Sequence, residues 1–254
     1  MGEKMKKIAV IGGGFRGVGC LKVLKDKGYE VDLYEKNDDV GGVWHPSNNY
    51  KGLRIHTPAK LNQFENFPYP DNIDLTERLE SKQVYQYLKS YVDAHHLNEN
   101  MIFNTPVHKI EYNSKTKKTT LVVGESEYRT KEYDFVINTN GYCDRHIPDF
   151  KDAKSFEGEI LHSYEANEEK VKELIENNKK VTIVGAGKTA TDLVTTFRRL
   201  GYKITWGGDW KTLVDKILGK REAIKIALVG KYTGLLDSYM SLNKALEHGA
   251  IHAN

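Results

Sequence analysis

The amino-acid sequence predicts an α/β protein with a Rossmann-like three-layer fold, built from two strand–turn–helix–strand units of which the second is incomplete. Two observations lead to this prediction. A glycine-rich turn stands between an apolar strand and a helical segment at two places, Gly12–Gly17 and Gly185–Ala190. In both places another apolar strand follows within about thirty residues, which is the size of one βαβ unit.

The first βαβ unit opens with the apolar strand Lys7–Ile11. A helix with one apolar face follows the glycine turn and is expected to end at Gly28, before the strand Glu30–Tyr34. A loop rich in Pro, Asn and Gly then runs over residues 38–74. Ser81–His96 has the apolar spacing of an amphipathic helix.

A hairpin and one further strand are expected between the βαβ units. Ile102–Tyr112 and Thr119–Val123 are predicted to form a hairpin around a lysine-rich turn. Phe135–Asn138 is apolar and short, and we expect it to be a buried strand.

The second βαβ unit consists of the strand Lys180–Val184, the helix Thr189–Leu200 and the strand Lys203–Trp206. A helix, a strand and a helix are expected beyond it, at Trp210–Leu218, Ile224–Val229 and Tyr239–His248. The strand among them would add a third parallel strand to the second sheet, since strand, helix, strand in this order is a crossover unit.

Composition excludes several classes of protein. The 254 residues are 39% hydrophobic and 29% charged, with a formal net charge of +3, and the basic residues form no stripe. We therefore expect no nucleic-acid partner. No apolar run is long enough to cross a membrane, and no signal peptide precedes the first strand, so a cytoplasmic protein is expected. Cys20 and Cys143 belong to no metal-ligand cluster, and we expect no metal.

The first glycine turn has the spacing of a dinucleotide-binding fingerprint. Gly12 permits the tight turn, Gly14 lets the backbone approach a pyrophosphate, and Gly17 lets the helix pack closely on the strand. Phe15 opens the helix, whose N-terminus attracts negative charge. Glu35 ends the next strand, where a carboxylate accepts both ribose hydroxyls and repels a 2′-phosphate, so this site suits FAD or NAD.

The segment Gly41–Trp44 follows shortly after Glu35. The two glycines, Gly41 and Gly42, can let the backbone approach a cofactor, and Trp44 supplies a flat apolar wall. A plain loop with a buried Trp is the alternative interpretation.

These motifs together resemble the flavin-containing monooxygenases and their Baeyer–Villiger relatives, over roughly Lys6–Trp206. The further segments that carry the resemblance are Tyr50–Pro58, Phe64–Pro70, Phe156–Ser163, which is similar to the identifying F-x-G-x-x-x-H signature, and Gly185–Ala190 with Asp192.

The resemblance implies that NADPH reduces FAD, that O₂ adds to the flavin, and that the resulting flavin peroxide oxygenates a soft nucleophile (N or S) or a ketone. It implies FAD contacts from the first turn, from Gly42–Trp44 and from a flavin-side segment that includes His56 and Thr57. It assigns the NADPH pyrophosphate to the second turn, at Gly185, Gly187, Lys188, Thr189 and Ala190.

Three departures from the family pattern affect this interpretation. His56 stands where the family usually has Asn or Gln, and a hydrogen-bonded loop histidine is the alternative to a flavin-side role. No Arg follows Lys203–Trp206, where a clamp for the 2′-phosphate is expected, so we expect weak preference for NADPH over NADH. Residues 210–254 instead resemble the opening of the CTP synthase glutaminase domain, without a nucleophilic Cys.

The expected organisation is therefore an FAD-binding domain at 1–155, a partial NADP-binding domain at 156–208 and an αβα tail at 209–254. Two other functions stay open at this point. One is a non-catalytic FAD-binding fragment. The other is a different FAD- and NAD(P)-dependent oxidoreductase, such as a flavin disulfide reductase, which the absence of a CxxC pair weakens.

Overall fold

A computed structural model of the chain describes residues 5–141, 147, 156–185 and 187–206. The three elements expected beyond residue 209 lie outside the described residues. The strands and helices within them are β1 (Lys7–Ile11), α1 (Phe15–Asp26), β2 (Glu30–Tyr34), α2 (Ser81–Ala94), β3 (Met101–Ile102), β4 (Val107–Asn113), β5 (Lys118–Val123), β6 (Arg129–Tyr133), β7 (Phe135–Asn138), α3 (Glu168–Glu176), β8 (Val181–Ile183), α4 (Lys188–Arg199) and β9 (Ile204–Trp206).

The chain divides into two compact bodies. The N-terminal body comprises Met1–Asn49 and Arg54–Glu159, and the C-terminal body comprises Tyr50–Leu53 and Ile160–Asn254. Each contains one βαβ unit, β1–α1–β2 in the first and β8–α4–β9 in the second. The predicted Rossmann-like α/β fold is confirmed.

A parallel sheet with the strand order β3–β2–β1–β7 forms the centre of the N-terminal body. Ile11 at the end of β1 pairs with Tyr34 of β2 and with Asn138 of β7. The carboxyl ends of these strands therefore lie at one edge of the sheet, which is where open α/β sheets bind ligands. Helix α1 packs Val18 and Leu21, both fully buried, into the core beside Val10 of β1.

The predicted hairpin has wrong boundaries. Ile102 belongs to β3, which pairs in parallel with Tyr34, whereas the antiparallel β4 begins at Val107. Asn104 adopts a φ of 50° between the two strands. Pro106 then follows, and a proline cannot donate a ladder hydrogen bond.

Two further β features differ from expectation. The strand β6 was not predicted, and it pairs with β5 to complete a three-stranded antiparallel sheet. Its sequence is mostly charged because four of its five residues are exposed. The strand β7 is not fully buried, since Phe135 is 57% exposed. Among the described strands, β7 forms an edge of the parallel sheet.

A buried hydroxyl network joins the two sheets of the N-terminal body. The Tyr34 and Tyr133 hydroxyl oxygens lie 2.6 Å apart, and Tyr133 donates to Asp32 Oδ2 at 2.6 Å. Burial, together with the hydrogen bond to Asp32, raises the pKa of Tyr133, which therefore remains a protonated donor at neutral pH. The network fixes the end of β2, immediately before Glu35.

The C-terminal body contains the parallel pair β8–β9, the helices α3 and α4, and the short segment Tyr50–Leu53. Tyr50 is buried in its core and donates a hydrogen bond to Asp192 at 2.9 Å. Gly52 has a φ of +91° and lies so close to Thr196 that a Cβ would overlap the threonine hydroxyl. The sequence did not predict that these four residues pack with α4.

No helix within the described ranges combines the length and the apolar character that crossing a membrane requires.

Candidate nucleotide-binding sites

The first glycine turn connects β1 to α1 in a tight bend. Gly12 has a φ of +103°, which favours glycine, and its N–H donates to Tyr34 O at 2.8 Å. A Cβ on Gly17 would overlap the carbonyl oxygen of Gly12, so the helix can approach the strand only without a side chain there. A Cβ on Gly14 would meet only Gly42 Cα, at 3.7 Å. The space above Gly14 is therefore open on the protein side.

The N-termini of the four α-helices within the described residues fall into two classes. In α1 and α4, which follow the glycine turns, no side chain caps the helix and no acidic residue lies in the first turn. In contrast, Glu80 caps α2 and Asn167 caps α3, which also has Glu168 and Glu169 in its first turn. The first N–H groups of α1 and α4 are thus left for another acceptor, and the helix dipole favours an anion.

Glu35 lies directly after β2 and is 5% exposed. Its Oε2 accepts from Gly13 N at 2.5 Å, and its Oε1 accepts from Asn37 N at 2.9 Å. Each carboxylate oxygen has a further lone pair, because an ionised carboxylate offers about four acceptor positions. The backbone therefore orients Glu35 at the glycine turn while leaving it able to accept from ribose hydroxyls.

The segment Gly41–Trp44 lies against the first turn. Gly41 N donates to Gly13 O at 3.0 Å, and a Cβ on Gly42 would come within 3.1 Å of Gly14 Cα. Val43 is 38% exposed, and Trp44 is half-buried against an aromatic and aliphatic cluster. The structure thus brings this segment together with the fingerprint and Glu35.

A network of polar side chains surrounds the residues that flank the segment Gly41–Trp44. His45 is buried, and its Nε2 and Nδ1 lie 3.0 Å from Asp38 Oδ1 and 2.8 Å from Ser47 Oγ. The neighbouring Asp39 accepts from the Tyr85 hydroxyl at 2.7 Å and from Lys89. Burial alone would raise the pKa of Asp39, but these hydrogen bonds outweigh it and lower the pKa.

Phe15, at the start of α1, joins a stacked aromatic group. Its ring centroid lies 5.1 Å from that of Phe64 and 6.1 Å from that of Tyr87. The Tyr87 hydroxyl donates to Phe67 O at 2.5 Å and accepts from Phe64 N at 2.8 Å. Tyr87 therefore fixes the segment Phe64–Phe67 against the helix that follows the glycine turn.

His56 and Thr57 lie further along the chain, in an exposed segment before Pro58. Thr57 accepts a hydrogen bond from the side chain of Asn62. Both side chains are accessible, and their local geometry favours neither a flavin-side role nor the plain loop interpretation.

The second glycine turn lies in the C-terminal body. Gly185 has a φ of +133°, and its carbonyl accepts from Trp206 Nε1 at 2.8 Å. Lys188 opens α4 and forms an ion pair with Asp192 one turn later. Ala190 is buried where the first turn has its third glycine, and its Cβ fits at 3.7 Å from a Cβ built on Gly185. Gly187, Lys188 and Thr189 surround the uncapped helix start.

Sequence reasoning missed two features near these turns. The Tyr50–Asp192–Lys188 chain of hydrogen bonds joins residues more than 130 positions apart, and no local pattern could have indicated it. The Oδ1 atom of Asn49 is buried, and no donor within the described part of the chain reaches it. An unpaired atom of this kind has no signature in a sequence.

Comparison with known proteins identifies the family to which the sequence is similar. A sequence profile of the FMO-like family (flavin-binding monooxygenase-like) matches residues 5–242. The match continues well past residue 209, where the resemblance was expected to end. The expected similarity of residues 210–254 to CTP synthase is therefore not borne out.

Two curated relatives illustrate the range of similar sequences. Flavin-containing monooxygenase 1 of Oryctolagus cuniculus is 26% identical over 223 residues, which are 81% of this chain and 41% of that protein. A 4-hydroxybenzoate brominase (decarboxylating) of Marinomonas mediterranea is 29% identical over 202 residues, which are 78% of this chain and 37% of that protein. The chain thus spans less than half the length of these relatives.

Solved structures agree with the fold. A cyclohexanone monooxygenase mutant from Rhodococcus sp. Phi1, bound to NADP+, matches 80% of this chain and 38% of its own with a TM-score of 0.67 and 25% identity. The S-allyl-L-cysteine S-oxygenase of Allium sativum matches 89% of this chain and 54% of its own with a TM-score of 0.66, at 18% identity.

Proposed function

Because the chain belongs to the flavin-binding monooxygenase-like family, we propose that its N-terminal body binds FAD and its C-terminal body binds NADPH. We further propose that, in the complete protein, these sites serve the oxygenation of a small-molecule substrate by O₂. The observation that carries the proposal is the pairing of two uncapped helix N-termini with two glycine turns, one of which has a buried carboxylate beside it.

The residues of the first turn fit FAD. The open space above Gly14 accepts a pyrophosphate, and the first N–H groups of α1 supply its hydrogen bonds. Glu35 accepts from the ribose hydroxyls, while its negative charge disfavours a 2′-phosphate at this site. Gly42 and Trp44 border the same turn. We assign Gly12, Gly14, Phe15, Gly17, Glu35, Gly42, Val43 and Trp44 to the FAD site.

The residues of the second turn fit a second dinucleotide. The N-terminus of α4 is uncapped and has no acidic residue in its first turn, and the Lys188 ammonium beside it is paired with Asp192 one turn later. We assign Gly185, Gly187, Lys188, Thr189 and Ala190 to the pyrophosphate of NADPH.

FAD reduced by NADPH supplies the reaction with O₂ that transfers oxygen to a soft nucleophile (N or S) or to a ketone. The chain's own residues bind and orient the two dinucleotides, and the apolar Trp44 limits water on its side of the turn. Oxygen transfer to a heteroatom requires no general base from the protein. We propose His56 and Thr57 as flavin-side residues on the strength of the resemblance alone.

The proposed domain bounds are 1–155 for FAD binding and 156–208 for the partial NADP-binding region, followed by the tail at 209–254. A division between the two compact bodies at Glu159 supports the first boundary. The segment Tyr50–Leu53 is an exception, since it packs with the second body.

Anaerobic titration tests the function. We expect the purified protein to be yellow, to release FAD on denaturation, and to lose the visible absorbance of its oxidised flavin when NADPH is added without O₂. Protein denatured and refolded without FAD, then supplied with FMN in place of FAD, is the control for nonspecific flavin uptake. A colourless protein that takes up no added FAD would refute the proposal.

A second candidate function is a non-catalytic FAD-binding fragment, which the coverage of less than half of each relative favours. The same titration separates the two. A fragment retains its flavin but leaves it oxidised in the presence of NADPH, whereas the enzyme reduces it.

A further inference from the structure

The Asp192 carboxylate of the C-terminal body has two donors, one local and one from a distant part of the chain. Its Oδ1 atom pairs with the Lys188 ammonium, and its Oδ2 atom accepts from the Tyr50 hydroxyl at 2.9 Å. The side chain of Asp192 is 15% exposed, and that of Lys188 is 35% exposed. The carboxylate is therefore largely shielded from water, whereas the ammonium that neutralises it retains access to solvent.

Tyr50 is held in place by the residue that follows it. Lys51 N donates to Ala166 O at 2.8 Å, and Lys51 O accepts from Thr196 Oγ1 at 3.3 Å. Tyr50 itself is buried, and this burial, together with the charge of Asp192, raises the pKa of its hydroxyl. Tyr50 therefore remains a protonated donor to Asp192 at neutral pH.

The Lys188 ammonium belongs to the end of α4 where positive charge is unfavourable for the helix alone. Lys188 is the first residue of α4, and the helix macrodipole already places partial positive charge at this end. The pair with Asp192 also has the weaker orientation, since an acid four residues before a base stabilises a helix better than the reverse. An anion at the start of α4 would offset this accumulation of positive charge. Under the proposed function, that anion is the pyrophosphate of NADPH.

Transfer of Lys188 to a pyrophosphate would deprive Asp192 of its cation. A shielded carboxylate that is left without a partner is strongly unfavourable. The Tyr50 hydroxyl, however, is a neutral donor on the other carboxylate oxygen, and it can stay there whichever group Lys188 binds. Hydrogen bonds to charged groups are stronger than those between neutral groups. The bond from Tyr50 therefore lowers the free-energy cost of releasing Lys188 from Asp192.

We propose that Lys188 exchanges Asp192 for the pyrophosphate of bound NADPH, and that Tyr50 makes this exchange favourable by stabilising the Asp192 carboxylate. The inference rests on the proposed function. It adds Tyr50 and Asp192 to the NADPH site as positioning residues, both of which act through Lys188.

The exchange predicts opposite effects of two substitutions on the binding of NADP+, the oxidised form that cannot reduce flavin. In Tyr50→Phe the carboxylate loses its neutral donor and retains Lys188 more strongly. We expect its affinity for NADP+ to fall about three- to thirtyfold. In Asp192→Asn no carboxylate competes for Lys188, so the affinity should equal or exceed that of wild type. In a chain that carries both substitutions, Asp192→Asn should restore the affinity that Tyr50→Phe removes.

The experiment measures the Kd for NADP+ by isothermal titration calorimetry on the full-length chain, together with the melting temperature of each variant. Tyr202→Phe is the matched control, because it removes a hydroxyl that donates to Leu174 O and Lys179 O in the same body. Neither acceptor belongs to α4. This control should melt earlier than wild type and bind NADP+ with unchanged affinity.

Three results would each overturn the exchange. They are an unchanged affinity for NADP+ in Tyr50→Phe, weaker binding in Asp192→Asn, and a failure of Asp192→Asn to restore binding in the doubly substituted chain. The third result would assign Tyr50 a packing role alone, since a packing defect persists whatever residue stands at position 192. A wild-type chain that binds no NADP+ refutes the proposed NADPH site instead, so the two failures are distinguishable.

Discussion

Gly14 and Gly17 lie three residues apart in one turn, but each lacks a side chain for a different physical reason. A Cβ on Gly17 would overlap the backbone of Gly12, whereas a Cβ on Gly14 would meet only Gly42 at an ordinary contact distance of 3.7 Å. Gly17 is therefore required by the fold itself. Gly14 is required only if something else occupies the space in front of it.

This difference predicts distinct outcomes for substitutions at the two positions. Gly14→Ala should leave the apoprotein as stable as wild type, while Gly14→Val, with a branched side chain toward the pyrophosphate, abolishes FAD binding. Gly17→Ala should destabilise the apoprotein by about 1–3 kcal/mol, because overpacking outweighs the gain of about 1 kcal/mol in helix propensity. Chemical denaturation and FAD titration measure both quantities.

A loss of apoprotein stability in the Gly14→Val variant would contradict this prediction. If Gly14→Val destabilises the apoprotein as strongly as Gly17→Ala, the space above Gly14 belongs to the fold and not to a ligand.

The sequence allowed prediction of those site residues whose role depends on local spacing. The position of Glu35 followed from its place at the end of β2, and the structure places it at the glycine turn, 2.5 Å from Gly13 N. His45 was not predicted, because its role depends on tertiary partners that no local pattern encodes. His45 is buried with Asp38 and Ser47 at its two ring nitrogens.

At the scale of elements, the two βαβ units share one register. Ile11 pairs with Tyr34 and Ile183 pairs with Trp206, the same separation of 23 positions in each unit (34 − 11 and 206 − 183). By the same separation, Gly208 corresponds in sequence to Glu35 (185 + 23 and 12 + 23). The second unit therefore has neither a carboxylate nor a guanidinium at the position that corresponds to Glu35.

We therefore expect little discrimination between NADPH and NADH. A charged hydrogen bond of the type that Arg forms with phosphate contributes about 1.5–3 kcal/mol, and without it the preference should stay within about tenfold. The rates of anaerobic flavin reduction by NADPH and by NADH measure this preference. Gly208→Arg is the gain variant and should raise the preference for NADPH.

A wild-type preference of several orders of magnitude would show that the clamp lies elsewhere, with Arg198 and Arg199 at the end of α4 as the first candidates.

Elements whose apolar residues recur at a regular spacing were predictable from the sequence. Elements that are defined by tertiary contacts were not. The apolar strands β1 and β2 and the helix α2 match their predicted positions within two residues, because one face of each is continuously buried. The strand β6 was missed because its four exposed residues are all polar and mostly charged, so no apolar alternation marks it. The segment Tyr50–Leu53 was predicted as part of a loop, because the residues that it contacts on α3 and α4 lie more than 100 positions further along the chain.

At the scale of the whole molecule, the family match reaches residue 242, so most of the tail is family sequence. This bears on the second sheet. Within the described residues that sheet is the pair β8–β9. Parallel strands are normally buried on both faces and do not stand as an isolated pair.

The last prediction is that the tail stabilises the C-terminal body by contributing a strand to this sheet, with Ile224–Val229 as the strand. Deleting Asp209–Asn254 should then lower the melting temperature and the solubility of the chain. The substitution Val229→Lys tests the same idea without shortening the chain, since a charge in a buried parallel strand is strongly unfavourable. Lys220→Glu, a charge change before the apolar run, is the control and should melt like wild type. If the truncated chain keeps the melting temperature and solubility of the full chain, the tail is an appendage and the second sheet must be completed by other residues.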